Sequence, residues 1–251
     1  MKKATTLTAD GGTRLRRLGR RIALLVAAAA GVTLVVSVLV VVALRWISPP
    51  TTAFMLQHQI VAGRSGGAEA ETGVGSRWVD WADMNPELGV AVVAAEDQRF
   101  LEHHGLDFEA ISDALEERAG SGRLRGASTI SQQVAKNLFL WPGQSWVRKG
   151  IESYLTVLIE LVWSKRRVLE VYLNVAEFGT GVYGVGAASE RFFAREPARV
   201  DRQQAALLAA VLPSPKRLLV ARPSPYVRSR QEWILAQMEQ LGGVGLLEGL
   251  R

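Results

Sequence analysis

The longest uninterrupted apolar stretch of the chain lies near its N-terminus. Residues 22–44 (IALLVAAAAGVTLVVSVLVVVAL) contain no charged side chain, and these 23 residues are enough for a helix to cross the roughly 30 Å hydrocarbon core of a bilayer. A cleaved signal peptide usually has a shorter apolar stretch of about 7 to 15 residues. The pattern therefore predicts an uncleaved transmembrane helix.

The charges that flank this stretch predict its orientation. Five arginines fall within residues 14–21, and only Arg45 follows the stretch directly. Because positively charged flanks stay preferentially on the cytoplasmic side, the N-terminus is predicted to be cytoplasmic and the rest of the chain to lie outside. We therefore expect a basic cytoplasmic tail, a transmembrane helix, a juxtamembrane segment with a linker, and a folded domain, at residues 1–21, 22–44, 45–76 and 77–251.

Beyond the apolar stretch, capping residues and apolar runs predict a mainly α-helical domain. Helix starts are indicated by Asn85 before Pro86, by Ser128 or Thr129, by Ser145, by Ser164, and by Asp201 with Gln204. Residues 63–76 (GRSGGAEAETGVGS) are rich in glycine, which is typical of a linker or a loop. Few stretches alternate between apolar and polar residues, so we expect little β-structure, with room for a short hairpin.

Composition and charge remove several functional classes. The formal charge of +6 arises in residues 1–21, which hold seven basic residues and one acidic residue, so the remaining 23 basic and 23 acidic residues balance. The excess of basic residues therefore reflects the membrane topology of the N-terminus and does not indicate a nucleic-acid-binding domain. The absence of cysteine excludes disulfides and thiolate metal sites.

The first segment with candidate chemistry is AEDQRFLEHHGLD, at residues 95–107. Glu96 follows an apolar run, and burial would raise the pKa of its carboxyl group towards the range of a general base. Asp97 or His103 could orient it, and Gly105 permits a sharp turn. An acidic pair at a helix end is more often a solvated terminus or a cap, so the pattern alone leaves both interpretations open.

The second segment is RGASTISQQVAKNLFL, at residues 125–140. On a helix, Thr129, Gln133 and Lys136 share one face, where a hydroxyl, an amide and an ammonium group could hold a phosphate and sugar hydroxyls. Ser128 and the helix N-terminus would add donors suited to an anion. A polar stripe on an ordinary amphipathic helix is the simpler interpretation of the same spacing.

The third segment, at residues 145–167, places a carboxylate among cations. Arg148 and Lys149 precede Glu152 by four and three residues, so all three side chains share one helix face. The alternative is a solvent-exposed ion-pair helix, whose pairs contribute less than about 1 kcal/mol.

Five segments together resemble the signature segments of the peptidoglycan glycosyltransferases, glycosyltransferase family 51. In chain order they are EDQRFLEHHG, GASTISQQVAKN, RKGIE, KRRVLEVYLNVAEFG and ALLAAVLPSP, within a match of about residues 77–241. Two stretches, RGASTISQQ and LPSPKRLLVARPSPYVRSRQEWI, are most similar to the monofunctional biosynthetic transglycosylase branch. No serine lies three residues before a lysine, so we expect no transpeptidase domain. The resemblance implies a mainly α, lysozyme-like fold with a small membrane-facing subdomain.

The resemblance also implies a reaction and its residues. Glu96 would deprotonate the acceptor hydroxyl of one lipid II molecule, which attacks the donor's anomeric carbon with inversion and releases undecaprenyl pyrophosphate, while Glu152 would be the second, assisting carboxylate. Substrate binding is implied for Asp97, Phe100, His103, Ser128, Thr129, Gln133, Lys136, Asn137, Arg148 and Lys149. In the fourth segment, a structural and a functional role are equally open for Lys165, Glu170, Tyr172, Asn174 and Gly179.

Partners and location follow from the same resemblance. It implies that the partners are lipid II, the growing lipid-linked glycan strand and the membrane. Cell-division or wall-synthesis proteins are possible partners of the same family, and we expect no binding of nucleic acid. The protein would cross the bacterial inner membrane once, with its catalytic domain in the periplasm. The sequence requires no cofactor and marks no metal site, although a divalent cation, Mg²⁺ or Mn²⁺, could assist at the pyrophosphate.

Two other functions stay open on the sequence alone. A lytic transglycosylase or muramidase would cut glycan strands, but it needs neither a phosphate site nor a membrane anchor. A non-catalytic glycan-binding or scaffold protein of the division machinery would not need Glu96 and Glu152. Purified protein incubated with labelled lipid II discriminates among the three functions.

Overall fold

The computed structural model describes residues 9–65, 75–110, 112, 128–143 and 145–250. Internal packing divides the chain into two units, Met1–Trp46 and Ile47–Arg251. The first unit contains one long helix, α1 (Ala9–Leu44), of which Arg16–Leu44 has the length and composition of a membrane-spanning helix. The sequence prediction of one apolar N-terminal helix is therefore confirmed.

The second unit is mainly α-helical, as the sequence predicted. Among the described residues, its helices are α2 (Ala53–Ser65), α3 (Pro86–Glu96), α4 (Ile130–Phe139), α5 (Trp146–Val162), α6 (Lys165–Val175), α7 (Gly184–Phe193), α8 (Arg202–Val211) and α9 (Pro225–Gln240). Short 3₁₀ helices occupy Trp81–Asp83, Pro197–Arg199 and Gly243–Gly249.

A small sheet accompanies these helices. Its strands are β1 (Gly75–Ser76), β2 (Glu177–Gly179) and β3 (Val182–Tyr183), in the order β1-β3-β2. Strand β3 runs parallel to β1 and antiparallel to β2. The hairpin formed by β2 and β3 is the short hairpin for which the sequence left room.

Side-chain caps start the helices where the sequence indicated. The side chain of Asn85 accepts a hydrogen bond from the backbone of Glu87 at the start of α3, and Ser145 and Ser164 cap α5 and α6 in the same way. Capping boxes begin α4 at Thr129 and α8 at Asp201. Each cap satisfies backbone N–H groups that have no partner within the helix, which explains why these positions begin helices.

Helix α3 is the centre of the second unit. Its residues 88–94 are all buried, and it packs against α6, α8, α9 and the 3₁₀ helix Gly243–Gly249. A helix that is apolar on all sides is typical of a core position. Because α3 ends at Glu96, this carboxylate emerges directly from the core.

A second group of helices carries the other candidate residues. Helix α4 packs against α2, α5 and α6, so that Gln133 and Lys136 on α4 lie between the elements that bear Glu96 and Glu152. Helix α2 lies within residues 45–76, which the sequence assigned to a juxtamembrane segment and linker, and we had not predicted it. Its apolar residues are not concentrated on one face, so the chain shows little helical period there.

Candidate active site

Glu96 is held by side chains from two other helices. The amide nitrogen Nε2 of Gln133 donates to Oε2 of Glu96 at 3.0 Å, and Nη2 of Arg230 lies 3.6 Å from Oε1. The hydroxyl of Tyr172 donates to Oε1 of Gln133 at 3.0 Å. This last bond turns the amide group so that its nitrogen faces the carboxylate.

The protonation of Glu96 reflects its burial. Loss of hydration raises the pKa of this carboxyl group, and the negative charge of Asp97 adds to the effect. The hydrogen bond from Gln133 and the positive charges of Arg230 and Lys136 oppose it. The pKa shift predicted from the apolar sequence before Glu96 is therefore confirmed in direction, and it suits a group that accepts a proton near neutral pH.

Asp97 and His103 form a separate buried pair. Nε2 of His103 donates to Oδ1 of Asp97 at 2.8 Å, because its Nδ1 accepts a hydrogen bond from the backbone N–H of Gly105 at 3.1 Å. The other oxygen of Asp97 accepts from the backbone N–H of Ile130 at 3.0 Å. Asp97 and His103 therefore do not orient Glu96, as the sequence had suggested, but link the end of α3 to the start of α4. The side chains that contact the Glu96 carboxylate are those of Gln133 and Arg230.

The loop after Glu96 is fixed by close packing. Phe100 is fully buried, and the ammonium group of Lys165 lies 4.5 Å from the centre of its ring. Gly105 has φ +87°, and a Cβ atom there would lie 2.7 Å from Cγ of Glu160, so both the backbone conformation and the available space require glycine. Phe100 and His103 are both buried and shape this loop, and their predicted contact with substrate stays untested.

The polar residues along α4 and at its start occupy different environments. The Thr129 hydroxyl donates to the backbone oxygen of Gly105 at 2.6 Å and accepts from the backbone N–H of Gln132, so it acts as the helix cap. Ser128 is exposed beside it. Lys136 and Asn137 are half-buried further along the helix. The stripe is therefore neither an ordinary solvent-facing surface nor a uniform binding face.

The third segment forms a buried cluster of charges. The side chain of Glu152 is 4% exposed, and Arg148 Nη1 donates to its Oε2 at 3.0 Å. Lys149 donates to the other carboxylate oxygen. A carboxylate so deeply buried is not part of a solvated surface ion pair, so the simpler interpretation of this segment is wrong.

Lys136 connects the two carboxylates electrostatically. Burial lowers the pKa of its ammonium group, the charge of Glu152 opposes that change most strongly, and Glu96 opposes it as well. The nearby cations Arg148 and Lys149 lower the pKa further. Lys136 therefore lies within the electric field of both Glu96 and Glu152.

A cavity of about 210 Å³ opens beside Glu96. Its lining includes Asp97, Arg99, Asp107, Ser128 and Thr129. These polar and charged groups suit a ligand rich in hydroxyl groups. Within the described ranges, no three His, Cys, Asp or Glu side chains are grouped so that they could hold a metal ion, and the divalent cation at the pyrophosphate stays a prediction.

The fourth sequence segment is largely structural. Glu170 and Asn174 accept hydrogen bonds from the backbone N–H groups of Trp81 and Val79, each at 2.8 Å. Lys165 pairs with the buried carboxylate of Glu160 at 2.9 Å. Tyr172 alone among these helical positions reaches the site, through Gln133.

Arg230 was not identified from the sequence as a site residue. It lies on α9, outside all five signature segments, and is far from Glu96 along the sequence. An arginine on a helix of mixed polarity carries no local pattern that distinguishes it from a surface cation. Only tertiary packing brings it to Glu96.

Comparison with known proteins identifies the family. Residues 66–239, more than half of the chain, match the family model described as Transglycosylase. The chain belongs to the transglycosylase family. The resemblance indicated by the five segments is therefore confirmed, and the protein is a glycosyltransferase. Glu96, Gln133, Lys136, Glu152 and Arg230 all lie within the matched residues.

Several curated relatives are similar to this transglycosylase over most of their length. It is 51% identical over 211 residues to the biosynthetic peptidoglycan transglycosylase of Pseudomonas entomophila (strain L48), covering 84% of this chain and 88% of that protein. The proteins of the same name from Cronobacter sakazakii (strain ATCC BAA-894) and Salmonella schwarzengrund (strain CVM19633) are 54% identical over 198 residues and 56% identical over 195 residues. These matches cover 79% and 77% of this chain, and 81% and 80% of the two relatives.

The raised pKa of Glu96 predicts a pH-dependent effect on stability. The folded protein holds the Glu96 proton more tightly than the unfolded chain, so this stabilising contribution is present at low pH and is lost as pH rises through the folded pKa. Gln at this position does not titrate. We therefore expect the melting temperature of Glu96→Gln, relative to wild type, to increase as pH rises from the ordinary pKa of 4.5 through the raised pKa of the folded protein.

Thermal unfolding in detergent at a series of pH values measures this difference. Glu239→Gln, which removes an exposed carboxylate, is the control and should follow the wild-type curve. Parallel curves for Glu96→Gln and wild type across the whole range would show that burial does not hold the proton on Glu96.

Proposed function

We propose that this transglycosylase polymerises lipid II into the glycan strands of peptidoglycan and releases undecaprenyl pyrophosphate. One observation supports the proposal above all others: the site holds two largely buried carboxylates in different surroundings. Glu96 has a raised pKa, one neutral hydrogen-bond donor, Gln133, and one cation at 3.6 Å, Arg230, whereas Glu152 accepts hydrogen bonds from two cations, Arg148 and Lys149. Such a division suits proton transfer on one side and anion binding on the other.

Glu96 would accept the proton in the bond-forming step. The 4-hydroxyl oxygen of the acceptor GlcNAc attacks the anomeric carbon of the donor MurNAc, and its proton passes to a carboxylate oxygen of Glu96. The hydrogen bond from Gln133, itself held by Tyr172, keeps the carboxylate in a fixed orientation. A pre-oriented base avoids the reorganisation that a free carboxylate would require.

The cations near Glu152 would stabilise the leaving group. As the donor's bond between the anomeric carbon and the phosphate oxygen breaks, negative charge accumulates on the pyrophosphate. We assign the stabilisation of this negative charge to Lys136, Arg148 and Lys149. Arg148 donates to Glu152 through Nη1, and a guanidinium group carries five N–H donors, so donor capacity remains for a phosphate oxygen.

The membrane helix would bring the site to its substrate. Helix α1 fits a single-pass anchor, and the arginines before it favour a cytoplasmic N-terminus. We propose that the catalytic unit therefore works on the periplasmic face of the inner membrane. Lipid II is itself a membrane lipid, so an anchored enzyme meets it at a high effective concentration.

The direct test uses full-length protein in liposomes with labelled lipid II. We expect long glycan strands as the product. Anhydro or reducing fragments released from preformed strands would indicate a lytic enzyme or a muramidase. Binding of glycan without any turnover would indicate a non-catalytic protein of the cell-wall machinery, and either result would overturn the proposal.

Arg148 provides a test of the donor site that does not depend on turnover. The family resemblance implies that the phosphoglycolipid antibiotic moenomycin mimics the growing lipid-linked strand. We expect Arg148→Ala to weaken moenomycin binding by about 1.5 to 3 kcal/mol, because a charge-assisted hydrogen bond to phosphate is lost.

Calorimetric titration of the purified variants measures this affinity. Arg166→Ala removes an exposed cation that lies over the Trp81 ring, and it should bind as wild type does. Wild-type affinity in Arg148→Ala would remove Arg148 from the donor site.

A further inference from the structure

We propose that Arg230 is a positioning residue for Glu96, which keeps the carboxylate ionised and turned towards the acceptor. The inference rests on the proposed function, in which Glu96 is the general base. It assigns a role in that reaction to α9, a helix that follows all five signature segments in the chain.

The Arg230 guanidinium contacts the end of α3 at two points. Nη2 lies 3.6 Å from Oε1 of Glu96 and donates to the backbone oxygen of Ala95 at 3.3 Å. Its side chain is 22% exposed, and its guanidinium carbon lies 5.9 Å from the centre of the Trp233 ring. Packing of α9 against α3 therefore holds the cation at this position.

The position of Glu96 on its helix disfavours its negative charge. Glu96 is the last residue of α3, and the C-terminus of a helix carries a partial negative charge from its free carbonyl groups, which disfavours a carboxylate. Arg230 binds one of those carbonyl oxygens and also faces the carboxylate. One guanidinium thus offsets both sources of repulsion.

Among the charges that face Glu96, that of Arg230 lowers its pKa most, and that of Lys136 lowers it less. Asp97 follows it in the chain and is negative, Gln133 on α4 is neutral, and Tyr172 on α6 reaches it only through Gln133. Lys136 on α4 is positive, but the charge that acts on it most strongly is that of Glu152. Among the ion pairs of the described residues, the cation that pairs with Glu96 is therefore Arg230.

The consequence is a pH-dependent rate. Burial raises the pKa of Glu96, and Arg230 lowers it, so removal of Arg230 raises the pKa further and leaves more of the base protonated at low pH. The acid limb of the pH–rate profile should therefore move to higher pH. At high pH, where Glu96 is ionised in any case, the rate should recover.

The experiment compares pH–rate profiles of lipid II polymerisation by full-length variants in liposomes. Arg230→Met keeps most of the side-chain stem and removes the charge, and Arg230→Lys restores the charge. Arg228→Met is the matched control, because it removes an exposed arginine two residues earlier on the same helix. Glu96→Gln is measured in parallel, together with the melting temperature of every variant.

We expect Arg230→Met, relative to wild type, to lose more activity near pH 6 than near pH 8.5, by up to about tenfold, since an opposite charge at this range shifts the pKa of a carboxylate by about one unit. Arg230→Lys should recover most of the loss at low pH, and Arg228→Met should follow the wild-type profile.

Two results would overturn the inference. Equal loss in Arg230→Met at every pH, or a failure of Arg230→Lys to restore activity at low pH, would show that Arg230 acts only through packing. The proposed function fails separately: if Glu96→Gln keeps near wild-type activity, Glu96 is not the base, whatever the Arg230 variants do.

Discussion

We expect the Glu96→Gln enzyme to polymerise lipid II at least about a hundredfold more slowly than wild type, because general-base catalysis typically contributes about 10² to 10⁴ in rate. Gln keeps the size of the side chain and a hydrogen bond with Gln133, but it cannot accept a proton near neutral pH. The acceptor hydroxyl would then have to attack without a base. Initial rates with labelled lipid II in liposomes measure the loss.

The control for this prediction lies on the same helix. Glu87→Gln makes the same change at the other end of α3, and it should leave the rate within a few-fold of wild type. Donor binding by Glu96→Gln, measured with moenomycin, should also stay near wild type, since the proposed mechanism assigns Glu96 to the acceptor. A Glu96→Gln enzyme within a few-fold of wild type would refute its role as base.

The second large effect is expected at Glu152. Its buried carboxylate accepts hydrogen bonds from Arg148 and Lys149, and Lys136 also lies in its field. Gln in this place would leave three neighbouring cations without their common counter-charge, and an uncompensated buried charge is costly. We expect kcat/KM to fall by about ten- to a hundredfold, with much of the loss in donor affinity, and the melting temperature to fall as well.

Parallel measurements on both glutamate variants separate their roles. Moenomycin affinity should fall in Glu152→Gln and not in Glu96→Gln, whereas turnover at saturating lipid II should fall most in Glu96→Gln. Near-complete loss of turnover in Glu152→Gln, together with an active Glu96→Gln enzyme, would transfer the role of base to Glu152.

The helices of the catalytic unit could be predicted because their signals are local. Asn85 before Pro86, Thr129 with Gln132, and Asp201 with Gln204 each satisfy backbone donors within one helical turn, so the sequence alone indicates the helix start. Helix α2 does begin at a side-chain cap, because Thr52 accepts a hydrogen bond from the backbone N–H of Met55 at 3.1 Å, but we did not recognise this signal in the sequence. The apolar residues of α2 do not follow a helical period. Its packing against α4 depends on tertiary contacts that the local sequence does not encode.

The features of the site that could be predicted are likewise those with a local signal in the sequence. The burial of Glu96 follows from the apolar run before it, and the cluster of Arg148, Lys149 and Glu152 follows from helical spacing, so the sequence indicated both. The partners of Glu96 did not follow: Gln133 could be placed on a polar face but not against Glu96, and Arg230 comes from a distant helix. Asp97 or His103 was suggested as the group that orients Glu96, but these two residues pair with each other, and Asp97 also binds the start of α4.

The arrangement is costly for stability, which is typical of a functional site. Glu96 and Glu152 are both largely buried, and two cations converge on Glu152. Well-packed apolar residues would generally stabilise such a position better than buried charges do. The proposed mechanism would explain these charges, because in it one carboxylate changes its protonation and the other organises an anion site.

The most direct test of the account measures both products of the reaction at once. Full-length enzyme in liposomes receives lipid II labelled in both the sugar and the lipid, and new glycosidic bonds and free undecaprenyl pyrophosphate are quantified over time. Lipid II polymerisation with Glu96 as base predicts one undecaprenyl pyrophosphate for each new bond, with the anomeric configuration inverted, and both signals lost together in Glu96→Gln. Glycan fragments without pyrophosphate release, or equal rates in wild type and Glu96→Gln, would contradict it.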